Sequence, residues 1–98
     1  MKVEFHPLVS NDWNEIMDHY EDISPRTALK FDDQFIQALS EIAARPTAFS
    51  PYLGSRTFRR ARLLDFPHLV IYRLIPGGVR VTVVKHEKRH PSFGMRRR

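Results

Sequence analysis

Cysteine is absent from this chain of 98 residues. With no thiol there is no disulfide framework, no thiolate zinc centre and no cysteine nucleophile, a usage that fits a reducing, cytoplasmic setting. Long apolar runs are missing as well. None approaches the roughly 20 residues of a membrane span, and the opening Lys2–His6 runs into Pro7 before an export-signal core can form, so neither export nor a membrane partner is expected. Glycine is sparse, at four residues, and forms neither a phosphate-cradling loop nor a Gly-x-Ser-x-Gly elbow. That removes nucleotide-dependent chemistry and leaves no motif for a cofactor. Internal repeats are absent, and the one compositionally biased stretch is Arg96-Arg97-Arg98.

Acidic residues are scarce in one half only. Residues 1–50 hold nine carboxylates against four basic groups, a net of −5; residues 51–98 hold twelve basic groups against Asp65 and Glu87, a net of +10. A compact domain with one strongly cationic half steers polyanions or an acidic protein toward it, because summed surface charge acts even where no single contact is strong. The length fits one domain, residues 1–98, able to bury about 60–65% of its unfolded surface without covalent staples.

Periodicity supplies the architecture. Val3 and Phe5 alternate with Lys2, Glu4 and His6, a strand with one buried face. After Pro7, residues Val9, Trp13, Ile16, Met17 and Tyr20 recur at helical spacing, with Asp12, Glu15 and Asp18 on the polar face. Ser24-Pro25 repeats the cap-then-proline signal, and Ala28, Phe31, Phe35, Leu39 and Ile42 form a second apolar stripe that Arg45-Pro46 ends. A short Asp22–Ser24 link makes these a helical hairpin. Beyond a loop at Thr47–Ser55, strands are predicted at Thr57–Leu64, His68–Leu74 and Val79–Lys85, the last two joined by Pro76-Gly77-Gly78. The expected fold is α+β, ordered β-α-α-β-β-β: a helical hairpin on one face of a mostly antiparallel four-stranded sheet. Trp13, Tyr20, Phe31, Phe35, Leu39 and Ile71 are expected to form the core between hairpin and sheet, and the arginines to occupy the opposite face.

Arg60 and Arg62 share a strand face, and Arg73 and Arg80 on the next two strands can join them into a surface that grips carboxylates or phosphates through bidentate hydrogen bonds. Nearby aromatics are few, which argues against a base-stacking platform, although the cationic half keeps a stand-alone nucleic-acid-binding module open. The densest titratable cluster is Lys85-His86-Glu87-Lys88-Arg89-His90-Pro91. Histidine moves protons near neutral pH and arginine stabilises developing phosphorane charge, so His86 with Arg89 has the chemistry to cleave RNA through its 2′-hydroxyl. His86 and His90 face one way only on a helix, which Pro91 and the end-of-strand position oppose, so no metal site is expected.

Several segments taken in order resemble the RelE/ParE superfamily of bacterial toxins: Val3-Glu4-Phe5-His6-Pro7, Tyr20 followed by Ser24-Pro25, Ile42 with Arg45-Pro46, Phe66–Arg73 and Val84–Pro91. The resemblance covers essentially the whole chain. It implies the β-α-α-β-β-β fold already read from the periodicities, and the toxin half of a type II toxin–antitoxin, or plasmid stabilisation, pair that arrests growth. The implied partner is an acidic antitoxin in a hetero-oligomer, bound with the target through Arg60, Arg62, Arg73, Arg80, Lys85, Lys88, Arg96, Arg97 and Arg98. Two targets are implied by the superfamily. RelE-like members cleave messenger RNA on the ribosome and carry an arginine two residues after the Phe-Pro pair, where this chain has Leu69, and a C-terminal aromatic that falls near Gly94, next to Phe93. ParE-like members lack the nuclease residues and act on DNA gyrase. These departures favour the gyrase-directed type, with His86 and Arg89 catalytic only in a nuclease.

Overall fold

The computed structural model describes residues 1–98. Its elements are β1 (Lys2–Phe5), α1 (Val9–Ile23), α2 (Pro25–Ala44), a single 3-10 turn (Tyr52–Gly54), β2 (Phe58–Arg62), β3 (His68–Ile75) and β4 (Gly78–His86). The sheet order is β1-β4-β3-β2; β1 runs parallel to β4 and the other pairs are antiparallel. The expected α+β order and helical hairpin are therefore present.

Prolines set the helix boundaries. Ser24 alone separates α1 from α2, shorter than the predicted Asp22–Ser24 link: its backbone is extended, its N–H closes α1 on the Tyr20 carbonyl, and its carbonyl accepts from Ala28 N–H to open α2. Pro25 at the first position of α2 lacks the donor that would have continued α1. Arg45, held out of the helical region by Pro46, ends α2. Side chains then tie the layers together. Trp13 Nε1 donates to Asp32 Oδ1 at 2.9 Å across the hairpin. Gln34 grips the β2–β3 turn twice, donating to the Asp65 carboxylate and accepting its backbone N–H, both at 2.8 Å. Tyr72 Oη donates to the Pro46 carbonyl at 2.6 Å and fixes the exit from α2.

Two glycines matter by position. Ile75 pairs with Gly78, so Pro76 and Gly77 alone make the hairpin turn; proline presets φ at the first position and Gly77 takes φ 77° at the second, the type II combination. Gly78 serves close approach instead, because a Cβ there would collide with the Lys2 carbonyl of the adjoining β1.

The principal core lies between hairpin and sheet and contains Phe31, Phe35, Ile42, Val70, Tyr72, Val79, Val81 and Val84, with Trp13, Tyr20 and Leu39 half-buried against it. Two expectations fail here. Phe5 is substantially exposed, because β1 is an edge strand and the hairpin does not reach over its end. Ile71 is fully buried on the opposite face, in a second cluster with Tyr52, Phe58, Leu69 and Val83, under Phe93 and Met95. The parity of β4 is reset by a bulge: Ile71 pairs with Val83 but Tyr72 with Val81, so Thr82 is the extra residue, and Val83 turns away from the face that holds Val79, Val81 and Val84.

Candidate functional site

The face away from the helices is an apolar strip rather than an arginine surface. Leu69, Ile71 and Val83 form its centre, roofed by Tyr52 from the 3-10 turn and by Phe93 and Met95 from the segment after β4. The four arginines are divided by it. Arg60 and Arg62 stand exposed on the edge strand β2. Arg73 and Arg80 are half-buried in a row that crosses the sheet as Phe58, Arg73, Arg80, Glu4. Arg80 is engaged by Glu4 at 3.4 Å and by the Arg98 carbonyl at 3.0 Å. Glu4, hydrogen-bonded first by Lys2 and then facing Arg80, is held below the usual carboxylate range. Arg73 is different: its Nε is buried and has no acceptor.

Two predicted surface cations are internal. Lys85 is 3% exposed, with its ammonium donating to the carbonyls of His90 and Pro91 and lying 4.8 Å from the Tyr52 ring centre. It organises the turn after β4. Arg97 makes a two-pronged contact with Asp12, at 2.6 and 3.1 Å, and a third bond to the Thr82 carbonyl at 3.1 Å. Asp12, expected on the polar face of α1, is 6% exposed and also accepts Val84 N–H at 3.0 Å. The cause is the short β1. The last bond from this strand region is His6 N–H to Val81, so beyond it the edge of β4 has no strand neighbour, and Asp12 with Arg97 satisfies the Val84 N–H and Thr82 carbonyl left there. Lys88, Arg89, Arg96 and Arg98 remain exposed.

Between α1 and the C-terminal segment lies a pocket of about 290 Å³, lined by Glu15, Ile16 and His19 on one side and by His68, His86, Arg89 and Phe93 on the other. The two candidate catalytic residues thus share a cleft. His86 Nδ1 accepts Lys88 N–H at 3.0 Å, which leaves Nε2 for proton exchange. Its ring meets His68 edge-on at 5.3 Å. His68 is buried with an unpartnered Nδ1, and burial first, then the neighbouring His86, pulls its pKa down to about 4. Arg89 lies over the Phe93 ring at 4.1 Å and Arg97 at 5.1 Å. No three histidine, aspartate or glutamate side chains converge in the manner of a metal site. Tyr52, His68 and Phe93 were not singled out as site residues from sequence; the aromatic–basic spacing of Arg89, Phe93 and Arg97 was the available signal for the last.

The architecture is thus a helical hairpin on one side of a four-stranded sheet, with a basic C-terminal segment folded across the other. The sequence matches the family model for the ParE toxin of the parDE type II toxin–antitoxin system over residues 3–91, and the chain belongs to that family. Among solved structures, a chain from the chromosomal ParDE system of P. aeruginosa superimposes with a TM-score of 0.75 at 17% identity, covering 88% of this chain and 95% of that one, which shows a common fold. No protein of curated function matches the sequence. No helix is long and apolar enough to cross a membrane.

Proposed function

We propose that this ParE-family toxin arrests growth by binding DNA gyrase through its C-terminal segment, and that an acidic antitoxin restrains it by covering the arginine-bearing side of the sheet. The observation that carries the target is Leu69. The position where RNA-cleaving relatives carry an arginine is here buried in the apolar strip beneath Tyr52, and two further cations of the segment, Lys85 and Arg97, are committed to internal bonds. Too few free charges face the sheet to clamp a reacting phosphate, while Lys88, Arg89, Arg96 and Arg98 form an exposed rim suited to docking. The antitoxin reading is supported by Arg73: a buried guanidinium nitrogen without an acceptor, next to Arg80, is what a carboxylate from a partner would complete.

Induction of the chain alone in a bacterial host tests the target, with DNA-damage signalling and protein synthesis followed in parallel. Damage signalling should rise first. A second reading, ribosome-dependent cleavage of messenger RNA, draws on the cleft that joins His86 and Arg89 to His68 and Phe93. Cuts in translated messages that vanish with His86→Ala would establish it instead. For the antitoxin, Arg60→Glu with Arg73→Glu should slow association and flatten its salt dependence; unchanged on-rates would move the partner elsewhere.

A further inference from the structure

We infer that Leu53 and the pocket beside it anchor gyrase, by taking a segment of that enzyme in which an apolar side chain lies next to carboxylates. This deepens the gyrase reading above and rests on it. Leu53 has φ 52°, the one positive φ outside glycine, and Gly54 follows at 70°. Left-handed backbone suits glycine and asparagine, whereas in leucine the Cβ crowds the following carbonyl oxygen.

The fold imposes this conformation without using the side chain. Ser55 N–H closes the turn on the Tyr52 carbonyl at 2.9 Å, and Ser55 Oγ accepts the N–H groups of Thr57 and Phe58, both at 3.0 Å, which pins the start of β2. Upstream, the Arg59 guanidinium donates to the Thr47 and Phe49 carbonyls at 3.2 and 2.7 Å, and the Ser50 carbonyl accepts Arg60 N–H at 3.0 Å. Tyr52 is buried, and its hydroxyl donates to the Pro91 carbonyl at 3.3 Å. Leu53 between these anchors is 67% exposed and belongs to neither core cluster. A strained residue whose side chain joins neither core points to a role outside the fold.

Beside Leu53 opens a pocket of about 390 Å³, with Pro51, Tyr52, Leu69 and Pro91 as its apolar lining. Charge decides what enters it. Arg60 lines the pocket and is exposed, while the one carboxylate there, Glu87, is already paired with Arg62 at 3.2 Å. An incoming apolar side chain flanked by carboxylates satisfies both kinds of lining. The pocket is also continuous with the basic rim. The Pro91 carbonyl accepts the Lys85 ammonium at 3.3 Å as well as the Tyr52 hydroxyl, so one wall belongs to the segment that carries Lys88 and Arg89. Exposed cations speed an encounter, but lasting affinity comes from apolar anchors seated in pockets. Phe93 and Met95 of that segment are packed on the second core cluster, which leaves Leu53 and this pocket to supply the anchor.

The test is inhibition of purified gyrase by the full chain and its variants, with thermal midpoint and antitoxin affinity measured on the same preparations. Leu53→Asn relieves the backbone and removes the apolar side chain. It should inhibit gyrase about tenfold less, with a midpoint at least as high as the parent's and an unchanged affinity for antitoxin. Leu53→Met, which restores an apolar side chain, should recover most of the loss, and Arg60→Glu should weaken inhibition and flatten its salt dependence. Full inhibition by Leu53→Asn overturns the anchor and leaves the gyrase reading standing. A loss matched by a lower midpoint makes the turn structural and overturns the anchor as well. Weaker antitoxin binding with inhibition intact assigns the pocket to the antitoxin, with the same consequence. Failure of the parent chain to inhibit gyrase overturns both readings.

Discussion

The two faces of the sheet are covered in unlike ways. One carries α1 and α2, of 15 and 20 residues, over a core that buries Phe31, Ile42, Val70, Tyr72, Val79 and Val81 almost completely. The other carries one 3-10 turn and a C-terminal segment held by Lys85, by the Asp12–Arg97 pair and by the packing of Phe93 and Met95. The helical cover is continuous apolar packing; the second cover is short, basic and fastened at a few polar points. A family that must be both folded and bound by partners gains from that division: stability resides on one face, and the exposed cations sit on the side whose cover has least to hold it.

The largest effect should come from the helical face. Phe31→Ala removes a fully buried ring and should cost about 3–5 kcal/mol in chemical denaturation, a large part of the stability of a domain this size. A midpoint that barely moves would place the main core elsewhere. Asp12→Ala comes next, at roughly 3 kcal/mol, because it strands the Arg97 guanidinium and the Val84 N–H of β4. Its signature is regional. Hydrogen exchange should accelerate in residues 87–98 and at Val84 before the helices loosen, and uniform acceleration would mean the two covers are not separable.

His68 sharpens the comparison with pH. Its folded pKa, near 4, lies below the ordinary histidine value, so between about pH 6.5 and pH 4 the unfolded chain binds the extra proton and stability falls as pH falls, by up to about 1.4 kcal/mol per unit. Half-buried His6, its pKa lowered first by desolvation and then by Arg97 and Arg80, adds in the same direction. His68→Gln should flatten most of that slope, as read from denaturation midpoints at a series of pH values; an unchanged slope would transfer the effect to other groups. The smallest loss, about 1–2 kcal/mol, is expected for Met95→Ala, since its half-buried side chain lies on the thinner cover.

How far the sequence revealed this depends on where the determining interactions are. Helix limits were legible because Pro25 and Pro46 act within their own turns, and the β3–β4 hairpin because Pro76-Gly77 sets it locally. The side of Ile71 was not: Leu69 through Tyr72 is an unbroken apolar run buried on both faces, so no alternation exists to read, and the Thr82 bulge shifts parity once more. Asp12 looked solvent-facing because it lies among the acidic residues of α1, while its partner Arg97 is 85 residues away in sequence. The charge division was visible at once. Its interruption by Leu69, Ile71 and Val83, which sets Arg60 and Arg62 apart from Arg73 and Arg80, follows from register alone.

The most direct measurement is DNA supercoiling by purified gyrase in the presence of this chain, with and without its antitoxin. Gyrase-directed action predicts loss of supercoiling, recovery when antitoxin is added first, retention of inhibition by His86→Ala, and relief of inhibition by Arg96→Glu with Arg98→Glu in a chain that still folds. Unimpaired gyrase, together with His86-dependent cutting of ribosome-bound messages, would contradict it.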